Sequence, residues 1–84
     1  MHVRIFLSKK EDTNNMISYM PFYETLNKKD ITEYALIFKF GIPANTLQRM
    51  KHGEAITTKT LDALCSILEC SVSDILEYIP PEKI

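Results

Sequence analysis

The sequence predicts a compact all-α domain of five short helices behind an extended N-terminal arm, on three observations. From residue 20 onward the apolar positions recur at helical spacing rather than alternating. Helix starts and stops punctuate that stretch, with Thr32 and Thr57 placed as caps and Gly41, Gly53 and Pro80-Pro81 placed as terminators. No segment after residue 8 carries a strand period. A chain of 84 residues has room for one core only. At this size it buries roughly 60–65% of its unfolded surface, so its stability is modest.

The first helix is expected over 21–28. Pro21 suits a first helical position, and Phe22, Tyr23 and Leu26 give one apolar face. Thr32 caps the second, expected over 33–40, with Glu33 complementing the dipole in its first turn. Residues Tyr34 to Phe40 are apolar on most sides, which predicts a central, largely buried helix. Gly41 then ends it as a residue free to take positive φ. The third helix, over 44–52, follows Pro43, turns Leu47 and Met50 inward and stops at Gly53. Thr57 caps the fourth, over 58–68, with Ile56 and Leu61 as a hydrophobic staple and Leu61, Leu64, Cys65 and Leu68 as its stripe. Ser71 and Asp74 form a capping box for a fifth over 72–78, with Cys70 and Ile75 as a second staple. The expected core is Leu26, Leu36, Leu47, Met50, Leu61, Leu64, Leu68 and Ile75.

Residues 1–15 read differently from the domain over 16–84. Val3, Ile5 and Leu7 alternate with Arg4 and Phe6 as in an edge strand, and Ser8 to Asn15 is polar. Three readings stay open: a disordered or loosely held arm, a strand pairing across a dimer, or a natural start at Met16.

Composition narrows the function. No apolar run approaches the ~20 residues that span a bilayer. The opening Met-His-Val-Arg-Ile-Phe-Leu is too short for a secretory signal, so a cytoplasmic protein is expected. Cys65 and Cys70 fit no zinc spacing and read as small hydrophobes, so no metal or other cofactor is expected. His2 and His52 are the only imidazoles, and no nucleophile stands in a pattern with either, which argues against an enzyme. No small-molecule substrate and no membrane partner is indicated. The net charge is −1, but it is unevenly spread. Residues 39–59 hold Lys39, Arg49, Lys51 and Lys59 against Glu54, a balance of +3, whereas 60–84 hold one base against five acids, a balance of −4. Such asymmetry defines a basic face that net charge conceals.

Two short helices joined through a glycine in a tight turn are the mark of a helix-turn-helix. Thr32-Glu33-Tyr34-Ala35-Leu36, the run Gly41-Ile42-Pro43-Ala44-Asn45-Thr46-Leu47-Gln48-Arg49-Met50, and Gly53 together resemble the lambda-repressor-like, Cro/XRE-type helix-turn-helix family. Thr57 through Leu61 and Leu64 through Ile75 resemble its fourth and fifth helices, so the likeness covers about residues 20–79. Three positions depart from that pattern. Glu33 stands where the family often has Gln bracing a phosphate, Ile37 where it has a small residue, and Glu69 where it prefers Gly or Asn at positive φ.

The resemblance implies that the third helix, about 44–52, enters the major groove of double-stranded DNA. Carried over by position, Ala44, Asn45, Gln48 and Arg49 are the candidate base readers. Their side chains match what base edges offer, since Asn or Gln pairs with adenine, Arg with guanine, and Ala touches the thymine methyl. Thr32, Lys39, Thr46, Lys51, His52 and Lys59 are the candidate phosphate contacts, Thr46 with a partly structural role. The expected function is sequence-specific DNA binding as a small prokaryotic or phage transcriptional regulator, acting as a homodimer whose exposed candidates for contact are Tyr78, Ile79 and Ile84 with Val3, Ile5 and Leu7. The rival reading is a protein-interaction module on the same fold, antitoxin-like or antirepressor-like, favoured by net acidity and Glu33.

Overall fold

A computed structural model describes residues 16–80. The arm over 1–15, with its expected edge strand, and Ile84 lie outside the described residues. The elements run β1 (Ile17–Ser18), α1 (Met20–Lys29), α2 (Glu33–Phe38), α3 (Ala44–Lys51), α4 (Thr58–Leu68), a single 3-10 turn at Val72–Asp74, and β2 (Glu77–Tyr78). The fold is mostly helical, with four α-helices and a small sheet among the described residues rather than five helices.

The caps explain where the helices begin. The Thr32 hydroxyl accepts the Ala35 N–H at 3.0 Å, and the Thr57 hydroxyl accepts the Thr60 N–H at 3.1 Å. Each satisfies a donor that has no partner inside its own helix. Gly41 and Gly53 hold φ of 76° and 73°, the left-handed turns expected of them.

The expected fifth helix is replaced. The capping box forms, with the Asp74 carboxylate accepting the Ser71 N–H at 3.2 Å, but only one 3-10 turn follows. Its carbonyls are taken by α1 instead. The Thr25 hydroxyl donates to the Asp74 carbonyl at 2.8 Å, and the Phe22 N–H donates to that of Ile75 at 3.1 Å. Glu77 and Tyr78 then pair antiparallel with Ser18 and Ile17, and the Ile79 N–H donates to the Met16 carbonyl at 2.6 Å. These partners outweigh the one more turn that a short helix would add, because a helix this short hardly repays its nucleation. This also corrects the expectation of no strand after residue 8.

Phe22 and Leu26 of α1, Leu36 of α2, Leu47 and Met50 of α3, Leu64 and Leu68 of α4, and Ile75 converge in one core, with Tyr19 and Ile42 beside them. Seven of the eight expected residues are buried there; Leu61 is only half-buried and packs against the cluster from outside. The expectation that α2 is largely buried is overturned. Tyr34 and Phe38 are each 71% exposed and Phe40 is also exposed. A helix of six residues lays a single stripe, Leu36 with half-buried Ile37, against the core, so residues 34 and 38 face out one turn apart. Their rings meet at 4.6 Å between centroids.

Glu69 ends α4 in the left-handed region at φ 52°, where a side chain costs roughly 1 kcal/mol. Glu69→Gly is therefore expected to raise stability by up to about 1 kcal/mol, read as an increased urea midpoint at unchanged slope. A lowered midpoint would show that the Glu69 side chain stabilises the turn.

Candidate nucleic-acid interface

The turn between α2 and α3 is set by Gly41, Ile42 and Pro43. Ile42 is buried, and its N–H donates to the Leu36 carbonyl at 2.9 Å, which anchors the turn to the preceding helix. Pro43 sits at the N-cap of α3 with φ −62°, and its carbonyl accepts the Thr46 N–H at 3.0 Å. Within α3, Leu47 and Met50 point into the core. Helical geometry then turns residues 44, 45, 48 and 49 the other way, and all four are exposed. Thr46 is half-buried at the flank. The four candidate base readers thus share one outward face, held by two buried anchors.

Arg49 has a second engagement that sequence reasoning missed. Its Nη2 donates to the Ala55 carbonyl at 3.2 Å, bridging α3 to the loop that follows it. The Tyr19 hydroxyl donates to the neighbouring Glu54 carbonyl at 2.8 Å. Burial pushes the Tyr19 phenol above its ordinary range, against lesser opposing effects of the Ile56 backbone and the Arg49 charge. Arg49 therefore braces the loop as well as facing outward, with guanidinium donors to spare.

The candidate phosphate contacts are placed unevenly. Lys51 Nζ stands 3.7 Å from Glu33 Oε1, joining the end of α3 to the first turn of α2. His52 is the exposed C-cap of α3. Lys39 is exposed beyond the end of α2, its ammonium 5.9 Å from the centroid of the Phe40 ring. Thr32 uses its hydroxyl oxygen as the cap of α2, and Lys59 is exposed in the first turn of α4. No cluster of His, Cys, Asp and Glu among the described residues could hold a metal ion.

A buried-anchor helix with a polar outward face, entered through a glycine turn from a short capped helix, is the geometry of a helix-turn-helix. Residues 24–81 match the model of the Cro/C1-type HTH DNA-binding domain. The chain belongs to that family. It is 40% identical over 55 residues to an uncharacterized HTH-type transcriptional regulator, YozG, of Bacillus subtilis (strain 168), a match covering 63% of this chain and 66% of the relative. The chain thus spans just under two-thirds of that relative's length. The fold is like that of the transcriptional regulator VanUg in its crystal form II, at TM-score 0.71 and 23% identity, covering 87% of this chain and 99% of the other.

The Glu33–Lys51 pair changes how the first departure from the family pattern acts. Glu33 does more than add negative charge near the expected phosphates: it occupies one of the lysines expected to meet them. Nothing in the spacing of residues 33 and 51 signals this, since the contact exists only after α3 crosses α2.

Proposed function

We propose that this Cro/C1-type domain binds double-stranded DNA sequence-specifically as a transcriptional regulator, with α3 in the major groove. One observation carries the reading. Leu47 and Met50 lock α3 into the core while Ala44, Asn45, Gln48 and Arg49 face outward together. A rigid helix presenting amide and guanidinium groups suits base edges, where each good bidentate contact is worth ~1–3 kcal/mol of discrimination. Lys39, Lys51, His52 and Lys59 surround this role as sequence-independent phosphate contacts, and Thr32 and Thr46 add hydroxyls. Binding rather than catalysis is the chemistry of this face, exercised in the cytoplasm and needing no cofactor.

The working unit in this reading is a two-fold dimer, because one module makes few base contacts. Ile17 and Tyr78 stand opposite each other across the β1–β2 pair, both exposed, with exposed Ile79 next along the chain and exposed Met20 opening α1. That apolar cluster supports self-association there, setting two copies of α3 about 34–36 Å apart on one face of the duplex.

Titration against genomic duplex fragments at several salt concentrations tests the function. Affinity is expected to fall steeply with salt, with a log–log slope near −0.9 per neutralised phosphate. Sedimentation is expected to show a dimer on the duplex, and Tyr78→Asp to leave only the weaker monomer. A second reading, docking of a protein partner on the exposed Tyr34–Phe38 pair, is favoured by that aromatic face. It takes over if no duplex binds measurably at low salt.

A further inference from the structure

Cys65 and Cys70 stand five positions apart, a spacing that would send the two side chains apart on an unbroken helix. The helix is broken between them. Glu69 turns left-handed, the Cys70 N–H returns to the Cys65 carbonyl at 3.0 Å, and the Glu69 N–H reaches the Ser66 carbonyl at 3.3 Å. This pair of bonds is a Schellman turn, whose closing residue lies over the side chain at the start of the last helical turn. Both positions are cysteines here, and both are free and half-buried. The 3.0 Å bond runs directly between the two residues. It holds their α-carbons close to the roughly 4.4–6.8 Å that a disulfide spans.

We propose that Cys65 and Cys70 are a modification site that closes to an intramolecular disulfide when the protein meets a peroxide. The sulfur of Cys65, as thiolate, attacks one peroxide oxygen. The O–O bond breaks, leaving a sulfenic acid on Cys65 and releasing water once the leaving hydroxide is protonated. The sulfur of Cys70 then attacks the sulfenic sulfur. The S–S bond forms, and the hydroxyl leaves with the Cys70 proton as a second water. Two thiols lose two electrons between them, and the peroxide is reduced to two waters. Burial, reinforced by Cys65 and Asp74, pushes the Cys70 thiol above its ordinary range, with Lys29 opposing least of all, which makes Cys70 the poorer sulfur for the first attack on peroxide.

The bond would staple the end of α4 to the strand of chain that leads into the 3-10 turn. That joint is followed by the carbonyls of Asp74 and Ile75, which Thr25 and Phe22 of α1 bond, and neither cysteine belongs to α3. Oxidation is therefore expected to restrain unfolding and to leave α3 as it was.

Treating the folded, full-length chain with dilute hydrogen peroxide and mapping its peptides tests this. Cleavage after Lys59 and Lys83 leaves both cysteines on one peptide. That peptide is expected to lose about 2 Da, to resist alkylation and to recover both properties with a dithiol reductant. Cys65→Ser and Cys70→Ser are each expected to abolish the loss, and the oxidised native sequence is expected to melt at a higher temperature than the reduced. Sulfinic products, disulfides between two chains, unchanged thiols in the folded protein, or a lower melting temperature on closure would each overturn the proposal.

Discussion

Replacing Leu64 with alanine is expected to leave most of the domain unfolded. Leu64 is fully buried in α4, among the side chains through which all four helices meet. Truncating such a leucine costs roughly 2–5 kcal/mol, from lost transfer energy and from the cavity left behind. A native domain has only about 5–15 kcal/mol in total, and one this small stands at the lower end. Leu61 supplies the control, because it lies one turn earlier on the same helix but is only half-buried. Leu61→Ala should remain folded with a modestly lower melting temperature. Circular dichroism on both variants checks the pair. A Leu64→Ala protein that melts cooperatively at the native temperature would mean that the core does not assemble as described.

The second large effect is on DNA. Asn45→Ala and Gln48→Ala are each expected to lose ~1–3 kcal/mol of discrimination between the preferred duplex and a scrambled one, with little change on the scrambled duplex. Arg49→Ala should lose as much and should also loosen the loop after α3, because it removes the bond to the Ala55 carbonyl. Its melting temperature therefore has to be read beside its affinity. The Glu33–Lys51 pair adds a sharper test. A pair at 3.7 Å that joins an exposed lysine to a half-buried glutamate open to solvent contributes little to stability, so Glu33→Gln should barely alter the melt. It should nonetheless tighten DNA binding and steepen the salt dependence by about one unit, by freeing Lys51 and removing a negative charge beside the phosphates. Lys51→Ala should then weaken binding more in the Glu33→Gln protein than in the original. If Glu33→Gln leaves affinity and salt slope unchanged, the face formed by α2 and α3 does not meet the phosphate backbone.

Much of the helical frame was legible in the sequence because its signals are local. Thr32 and Thr57 announce their helices through bonds to residues three positions on, and Gly41 and Gly53 announce the turns through their own φ. The inward pairing of Leu47 with Met50, which directs residues 44, 45, 48 and 49 outward, is likewise a matter of spacing along one helix. Four helices within two residues of their expected ends, seven of eight expected core residues and the helix-turn-helix itself follow from such short-range rules.

What only the tertiary structure decided lies where two distant segments compete for the same groups. The capping box at Ser71 promises a helix, but the carbonyls of Asp74 and Ile75 are claimed by Thr25 and Phe22, and Glu77–Tyr78 are drawn into pairing with Ile17–Ser18. The apolar run from Tyr34 to Phe40 promises burial, but a six-residue helix has one inner stripe, so its aromatic residues are left outside. Lys51 reads as a free cation until α2 brings Glu33 beside it, and Arg49 as an unengaged reader until the loop supplies the Ala55 carbonyl. Local sequence sets which elements form, since caps and turns act over a few residues. It cannot set which donor finds which acceptor across the core, because that depends on distances that exist only once the helices have packed.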